Sequence, residues 1–257
     1  MIQLKSEREL DKMREAGRHT GEILLRLREL AKAGVTTGEL NDVASAEISS
    51  RKLGSSFLGY NPGGAPPYPG VLCTSLNEQI VHGIPGERVL IDGDLLKLDF
   101  GVVFDGFHGD SAVAICIADD SDELVALQAA TLQSLYAGVE QMLPGNRLGD
   151  VSRAVQDSVE GSGFTVVRDF VGHGIGRSLH EPPQLPNFGR AGRGPRLREG
   201  MVLAIEPMVN VGEAGVEIAS DGWTASTSDG AMSCHFEHTV AITRDGPEIL
   251  TKVAGSH

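Results

Sequence analysis

The sequence predicts an α/β domain that is built from two similar halves. Each half begins with two helical segments and continues with a strand, a His-Gly pair and a second strand that ends in a carboxylate. Residues 93–99 and 200–206 show the match, because each has a glycine, five mostly apolar residues and an acid at the same spacing. Without any short-period repeat, this pattern indicates a duplicated α/β unit. We predict one domain with halves of about 1–118 and 119–257.

Two helices open the first half. Ser6 and Glu9 match a capping box, and apolar residues at helical spacing extend the first helix to about residue 33. Gly34 then ends that helix, and Thr36 or Thr37 caps a second, shorter one. Both helices are therefore predicted from their spacing and from their end signals.

A loop and a strand follow these helices. Residues 59–70 contain four prolines and four glycines, which predicts irregular structure. Residues 71–81 have the composition of a strand and lead directly to His82.

The second half has the same order of elements. Ser121 caps a helix that Pro144 stops, and a shorter helix runs from about Leu148 to Val159. Residues 164–167 are strand-like and precede a second His-Gly pair. Because four kinds of element recur in the same order, we prefer duplication to a chance similarity between the two halves.

A predicted hairpin brings two aspartates close together. Asp105-Gly106 favours a two-residue type I′ turn, and that turn pairs Gly101 with Asp110. Asp99 and Asp110 then share a face as diagonal neighbours, roughly 7–8 Å apart. Carboxylates that close repel each other unless a proton or a cation lies between them. The pair therefore indicates either a metal site or two solvated acids at a hairpin edge.

The duplicated halves predict further acids beside this pair. If the halves pack about a pseudo-twofold axis, Glu206 and Glu237 meet Asp99 and Asp110 at the centre, and His173 adds an imidazole. Four carboxylates and one imidazole suit two divalent ions such as Mn, Co, Fe or Zn better than a thiolate zinc site. Two such ions can produce a hydroxide nucleophile from water near neutral pH.

Composition limits the class of protein. A net charge of −13 argues against a DNA-binding partner. Three cysteines without a CxxC pair suit a reducing cytosol. The first residues match neither a signal nor a transit peptide, and no apolar run is long enough to span a membrane. We expect a cytoplasmic monomer that does not associate with membranes.

A set of motifs, in order from about residue 5 to residue 250, resembles the type I methionine aminopeptidases. The type II enzymes carry a helical insertion between the last two glutamates, whereas only 30 residues separate Glu206 from Glu237 here. The resemblance implies the pita-bread fold, with a central antiparallel sheet and helices outside it. The motifs are His82, Leu98-Asp99-Phe-Gly, Gly106-Phe-His-Gly-Asp110, Gly172-His173-Gly-Ile-Gly-Arg-Ser-Leu-His180-Glu-Pro-Pro, Ile205-Glu206-Pro-Met and Phe236-Glu237-His-Thr.

This resemblance implies a role for each motif residue. Asp110 and Glu237 would bridge two metal ions, and Glu206 would also take the proton of the attacking water. His180 would stabilise the tetrahedral intermediate, and His82 would hold the substrate near the leaving nitrogen. The implied metal ligands are Asp99, Asp110, His173, Glu206 and Glu237.

The resemblance also implies a methionine pocket and a second ion site. Aromatic and soft side chains suit a flexible thioether. Asn77, Gln79 and Ser233 match positions at which relatives bind a monovalent cation. The implied pocket residues, besides His82 and His180, are Tyr60, Tyr68, Cys73, Leu179 and Trp223.

Three positions depart from the family pattern. Leu179 replaces a phenylalanine that many relatives have, which would widen the pocket. His235 stands where glutamine is frequent. The insertion at residues 63–67 lengthens a loop near the pocket rim.

Other features have simpler interpretations. His19 and His108 are expected beside the site or on the surface rather than as metal ligands. Gly172-x-Gly-x-Gly lacks the full dinucleotide pattern, and Cys73 is expected to be a pocket wall rather than a nucleophile. The four arginines within residues 189–198 are expected to form a solvated loop, with a transient contact to ribosomal RNA as the alternative.

Three functions remain open from the sequence. The first is removal of the initiator methionine from nascent peptides, with a small second residue preferred. The second is peptide cleavage before proline, although such relatives usually carry a large N-terminal domain. The third is a binding module that keeps the fold without catalysis, which the presence of all five implied ligands disfavours.

Overall fold

A nine-stranded sheet, antiparallel in every pairing, forms the centre of the fold. The structure is a computed structural model that describes residues 2–62, 66–118 and 121–255. Within these ranges, the helices are α1 (Glu7–Leu30), α2 (Thr37–Ser50), α3 (Asp122–Glu140) and α4 (Leu148–Gly161).

The strands are mostly short, and two of ten residues each form the hairpin. In chain order, the described strands are β1 (Gly54–Ser55), β2 (Leu72–Leu76), β3 (Gln79–Val81), β4 (Leu95–Phe104), β5 (Phe107–Cys116), β6 (Thr165–Val166), β7 (Gly172–Gly174), β8 (Glu181–Leu185), β9 (Val202–Ile205), β10 (Met208–Asn210), β11 (Val216–Ile218), β12 (Ala225–Thr227), β13 (Ser233–His235), β14 (Glu237–Thr243) and β15 (Gly246–Ile249).

Strands from both halves of the chain meet in the middle of the large sheet. Its order is β1-β4-β5-β14-β9-β7-β8, with β2 added beside β4 and β15 beside β14. Two three-stranded sheets, β13-β10-β6 and β11-β12-β3, flank it. The central antiparallel sheet with outer helices is as predicted, whereas the boundary between the two halves stays a prediction.

Helix α1 begins as predicted but ends earlier. Ser6 N–H donates to Glu9 Oε2 over 3.0 Å, as a capping box requires. The helix stops at Leu30 rather than near residue 33, because Ala31 is already extended. Gly34, at φ 94°, lies in the turn that follows.

The other element bounds differ by small amounts. Helix α2 is capped by Thr36, whose hydroxyl accepts from Glu39 N–H. Helix α3 starts after Ser121 and ends at Glu140, one turn before Pro144. The single strand predicted over residues 71–81 is wrong, because a turn at Asn77, with φ 53°, divides it into β2 and β3.

Glycines let α1 lie directly on its neighbours. A Cβ on Gly17 would come within 2.4 Å of the Leu250 carbonyl oxygen, and one on Gly21 within 2.3 Å of the Thr251 carbonyl oxygen. The helix also packs across β4 and β5. It therefore covers the outside of the hairpin that carries the two aspartates.

None of the helices in the described ranges has the length and apolarity needed to cross a lipid bilayer. Residues 63–65 of the predicted insertion lie outside the described residues, while Pro66 and Pro67 lie within them.

Candidate metal centre and cavity

The aspartate hairpin has the predicted geometry. Asp105-Gly106 has φ angles of 46° and 79°, as a type I′ turn requires. Gly101 pairs with Asp110, which places Asp99 and Asp110 on one face. A single local turn therefore sets the register of both carboxylates.

Cross-strand pairing brings the glutamates to the same place. Ala112 of β5 pairs with Asp99 on one side and with Glu237 of β14 on the other. Strand β9 lies on the far side of β14, and Glu206 follows its last residue. The four predicted carboxylates therefore lie on neighbouring strands or, for Glu206, directly after one.

His173 completes a group that could hold a metal ion. One ligand atom each from Asp110, His173 and Glu237 lies within 4.8 Å of the others. His173 Nδ1 lies 2.9 Å from the Gly174 carbonyl oxygen and so carries the proton that it donates there. Its Nε2, 3.5 Å from Glu206 Oε1, then has a free lone pair, which is the form of histidine that binds metals.

The clustered carboxylates of this centre repel one another, and a bound cation would relieve that repulsion. Burial, together with repulsion between the carboxylates, raises the pKa of Asp99, Glu206 and Glu237 well above their ordinary values. Burial also raises the pKa of Asp110 to about 7. Asp99 Oδ1, Asp110 Oδ1 and Glu237 Oε1 are buried and lack a hydrogen-bond partner among the described residues. This oxygen-rich set with one imidazole therefore fits a divalent metal.

Gly101 leaves space for one of these carboxylates, a role that the sequence reasoning missed. A Cβ at Gly101 would lie 3.0 Å from Asp110 Oδ1 and 2.9 Å from Ser56 Cβ. The available signal was a glycine inside a buried strand, which commonly marks a close approach.

A cavity of about 560 Å³ opens beside the carboxylates. It brings together every predicted ligand, both predicted catalytic histidines and all predicted pocket residues. Its remaining lining residues were not predicted to belong to the site, although Glu181 and Pro182 fall within the His180-Glu-Pro-Pro motif: Phe57, Pro62, Val171, Glu181, Pro182 and Gln184.

Aromatic rings also line this cavity and form a wall of it. Trp223 meets Tyr68 edge-on at 5.2 Å and His82 edge-on at 5.9 Å between ring centroids. Burial raises the pKa of Cys73 well above its usual range, so this thiol is held neutral. Cys73 therefore lines the cavity with a neutral thiol, which is a poor nucleophile, and its part in binding a side chain stays a prediction.

Two histidines, His82 and His180, also line the cavity. Burial lowers the pKa of His180, and burial with the neighbouring His180 lowers that of His82 to about 4, so both rings are neutral. The Tyr60 hydroxyl lies 2.5 Å from His180 Nδ1. The His180 ring also lies 4.2 Å from that of His173 between centroids.

Three other histidines, His19, His108 and His235, do not line the cavity. His108 Nδ1 lies 2.9 Å from Ser56 Oγ, and His19 contacts Arg18 and Arg51. His235 is 1% exposed, with Nε2 at 3.9 Å from Glu206 Oε2. His235 is therefore buried next to the candidate metal centre. The presence of histidine where relatives often have glutamine did not by itself predict this position.

Comparison with known proteins identifies the class that this fold and site define. A family model described as metallopeptidase family M24 matches residues 11–244. The chain therefore belongs to metallopeptidase family M24.

Relatives within that family are methionine aminopeptidases. The methionine aminopeptidase of Clostridium perfringens is 49% identical over 98% of this chain and 100% of its own length. The crystal structure of methionine aminopeptidase from Rickettsia prowazekii matches with a TM-score of 0.95, at 38% identity over 98% of this chain and 100% of that chain. This agrees with the pita-bread fold expected from the motifs.

A proline-directed peptidase shares the fold alone. The Xaa-Pro dipeptidase from Bacillus anthracis matches with a TM-score of 0.73 at 20% identity, and the match covers 98% of this chain but 63% of that one.

Proposed function

We propose that this protein removes the N-terminal methionine from peptides and nascent proteins by metal-assisted hydrolysis, with a small second residue preferred. One observation carries the proposal: four carboxylates, two of them buried and two partly buried, and a neutral histidine line the same cavity as a set of aromatic and apolar side chains. The first group suits hydrolysis at a metal, and the second suits the side chain of methionine.

The metal centre is proposed to hold two divalent ions. Asp99, Asp110, His173, Glu206 and Glu237 would hold them, with Asp110 and Glu237 shared. When bound, such ions lower the pKa of a water and polarise the peptide carbonyl. The choice among Mn, Co, Fe and Zn follows availability as much as affinity, because oxygen-rich sites discriminate weakly.

Glu206 is proposed to accept the proton of the attacking water. Its carboxylate is partly buried, with Oε1 at 3.5 Å from His173 Nε2 and Oε2 at 3.9 Å from His235 Nε2. A carboxylate beside the attacking water can take its proton and pass it to the leaving amine.

His180 and His82 are proposed to bind the reacting peptide. If the Tyr60 hydroxyl donates to His180 Nδ1, the ring proton resides on Nε2 and can be donated to the developing oxyanion. His82 is held edge-on against Phe170 and Trp223, where it would bind near the leaving nitrogen.

The methionine side chain is proposed to lie among Tyr68, Cys73, Leu179 and Trp223. All four are less than 10% exposed, at 3%, 4%, 5% and 8%. Sulfur packs favourably against ring edges, and burying an apolar chain here removes it from water.

Hydrolysis of Met-Ala-Ser tests the proposal. Metal-stripped protein is titrated with Mn, Co, Fe and Zn, with Ala-Pro and Met-Lys peptides in parallel and Asp110→Asn as the control. We expect metal-dependent release of methionine from Met-Ala-Ser only, and none from the variant. Cleavage of Ala-Pro instead would indicate a proline-directed peptidase. Tight metal binding without any cleavage would favour the binding-module alternative.

The setting of the reaction is also proposed. Cys73, Cys116 and Cys234 form no disulfide with one another, as expected in a reducing cytosol. Arginines in the exposed segment 189–198 offer a surface for transient contact with a ribosome. A salt-sensitive co-sedimentation with ribosomes, lost when these arginines are replaced by serine, would support that contact, and sedimentation of the protein alone would test the monomer.

A further inference from the structure

The residues predicted to bind a monovalent cation lie around one turn. Ser233 N–H donates to the Asn77 carbonyl over 3.1 Å. Leu76 N–H donates to the side-chain oxygen of Gln79 over 2.8 Å, which closes the turn from β2 to β3. Asn77 is therefore the centre of this group.

The polar side chains of Asn77 and Ser233 already form hydrogen bonds with other residues of the protein. Asn77 Oδ1 accepts from Leu95 N–H over 2.9 Å, and Asn77 Nδ2 donates to Asp94 Oδ1 over 3.0 Å. The Ser233 hydroxyl donates to the Val209 carbonyl over 3.4 Å. The side-chain oxygens of Asn77 and Gln79 therefore already accept backbone hydrogen bonds, which leaves the Asn77 carbonyl as the oxygen to consider.

A buried lysine also reaches the turn. Lys97 of β4 is 1% exposed, and its Nζ donates to the Asn77 carbonyl over 2.8 Å and to the Leu95 carbonyl over 3.4 Å. Carbonyl oxygens are the groups that replace the hydration shell of K⁺ in proteins. The same oxygens here receive an amino group instead.

We propose that the Lys97 ammonium takes the place of the monovalent cation expected at Asn77, Gln79 and Ser233. The cation does not fit the residues present, because Nζ holds the Asn77 carbonyl and would repel a second positive charge there. A lysine head group is a compact point charge with three donors, which suits converging oxygens. This inference concerns ion binding and does not depend on the proposed peptidase activity.

Lys97 is thereby a positioning residue for one wall of the cavity. Asn77 has φ 53° in the turn that opens β3, and β3 leads directly to His82. Strand β3 also pairs with β12, which follows Trp223 closely. The ammonium therefore links β4 to the turn that precedes β3 and His82. Lys97 itself is not among the residues that line the cavity.

The test is an exchange of monovalent cations. The full chain is kept at a pH of about 6, far below the ordinary pKa of a lysine, with choline as the sole monovalent cation. Thermal unfolding is then followed as KCl or NaCl replaces choline chloride at constant ionic strength.

Two lysine variants give opposite expectations. We expect the wild-type Tm to stay unchanged by the exchange. Lys97→Ser frees the Asn77 carbonyl, so its Tm should rise by roughly 3–5 °C when KCl reaches about ten times the dissociation constant. Lys5→Ser is the matched control, because it removes another buried lysine, paired with Glu181 at 2.6 Å, and should gain no dependence on the cation.

Rubidium provides a readout that does not depend on stability. Crystals grown with RbCl should show no anomalous peak beside Asn77 in the wild type and should show one in Lys97→Ser. A peak beside Asn77 in the wild type, or a saturable rise of its Tm with K⁺, would overturn the proposal. A folded Lys97→Ser protein without either response would also overturn it, and if that variant does not fold, the wild-type measurements decide.

Discussion

At the scale of single residues, Tyr60 determines what His180 can do. Their polar atoms lie 2.5 Å apart, and if the Tyr60 hydroxyl is the donor, the ring proton of His180 lies on Nε2. Tyr60→Phe removes this hydrogen bond but keeps the ring. We predict that kcat for Met-Ala-Ser falls roughly ten-fold while KM changes little, because the lost bond acts on the transition state. Steady-state kinetics measures both constants.

Tyr136→Phe is the control for that change. Tyr136 is a half-buried tyrosine on α3 that does not line the cavity. It should keep both kinetic constants. A change in KM alone for Tyr60→Phe would mean that Tyr60 acts by contact with the substrate and not through His180.

Gly101 can be tested separately from the ligands. A methyl group there would lie 3.0 Å from Asp110 Oδ1, so Gly101→Ala should push the carboxylate from its position. We predict that metal affinity falls at least roughly ten-fold, as for other residues that support metal ligands. Calorimetric titration with Mn²⁺ measures the affinity. Gly86→Ala, where a Cβ meets nothing within 4 Å, should bind as the wild type does, and equal affinities in all three proteins would refute the steric role.

At the scale of elements, α1 depends on close backbone contact. Gly21→Ala improves intrinsic helix propensity by about 1 kcal/mol, yet its Cβ would lie 2.3 Å from the Thr251 carbonyl oxygen. Because overpacking costs about 1–3 kcal/mol, we predict a net loss of stability of up to about 2 kcal/mol. Urea unfolding measures it.

Gly161→Ala, at the end of α4, is the comparison variant for Gly21→Ala in α1. Gly161 ends α4, and a Cβ there meets nothing within 4 Å. It should leave stability unchanged or raise it slightly. If both variants were equally stable, contact with residue 251 would not be what constrains α1.

The elements also show which parts of the fold a sequence can predict. The Asp105-Gly106 turn fixes its own register through local backbone angles, so the positions of Asp99 and Asp110 could be predicted. The early end of α1 at Leu30 could not, because the apolar spacing continues past the point where the backbone becomes extended. Local chemistry was sufficient for the turn, whereas tertiary packing decided the helix end.

Contacts between distant strands set the other limit. The contact of Lys97 with the Asn77 carbonyl could not be predicted, since nothing nearby in the sequence indicates that the lysine head group reaches this turn. The space at Gly101 likewise depends on Ser56, which lies on a different segment. The carboxylates and His173 could be predicted because motifs carry them, whereas their supporting contacts could not.

At the scale of the whole molecule, stability should depend on pH and metal together. Burial raises the pKa of Asp110 to about 7 and of three other acids well above their ordinary values, so the metal-free folded protein keeps protons that the unfolded chain releases. The folded state therefore binds more protons, and its free energy of unfolding falls as pH rises. Groups whose pKa values are lowered have the opposite effect: the buried histidines below about pH 6.5, and Lys97, at about 7, as a single group against the four acids above that pH.

We predict that metal-free protein unfolds at a lower urea concentration at about pH 8 than at about pH 6.5. Protein saturated with Mn²⁺ should show a smaller difference, because the metal replaces the protons between the carboxylates. Urea transitions with and without EDTA measure this. Identical pH dependence in both forms would contradict the assignment of the carboxylates to the metal centre.

Trp223 gives the molecule a built-in optical reporter. It is the only tryptophan in the chain, it is 8% exposed, and its indole N–H donates to the Pro66 carbonyl over 2.8 Å. Indole fluorescence therefore originates from one wall of the cavity and from nowhere else. A peptide that displaces water beside this ring will change the emission spectrum, so occupancy of the cavity can be followed by light, without a label and without turnover.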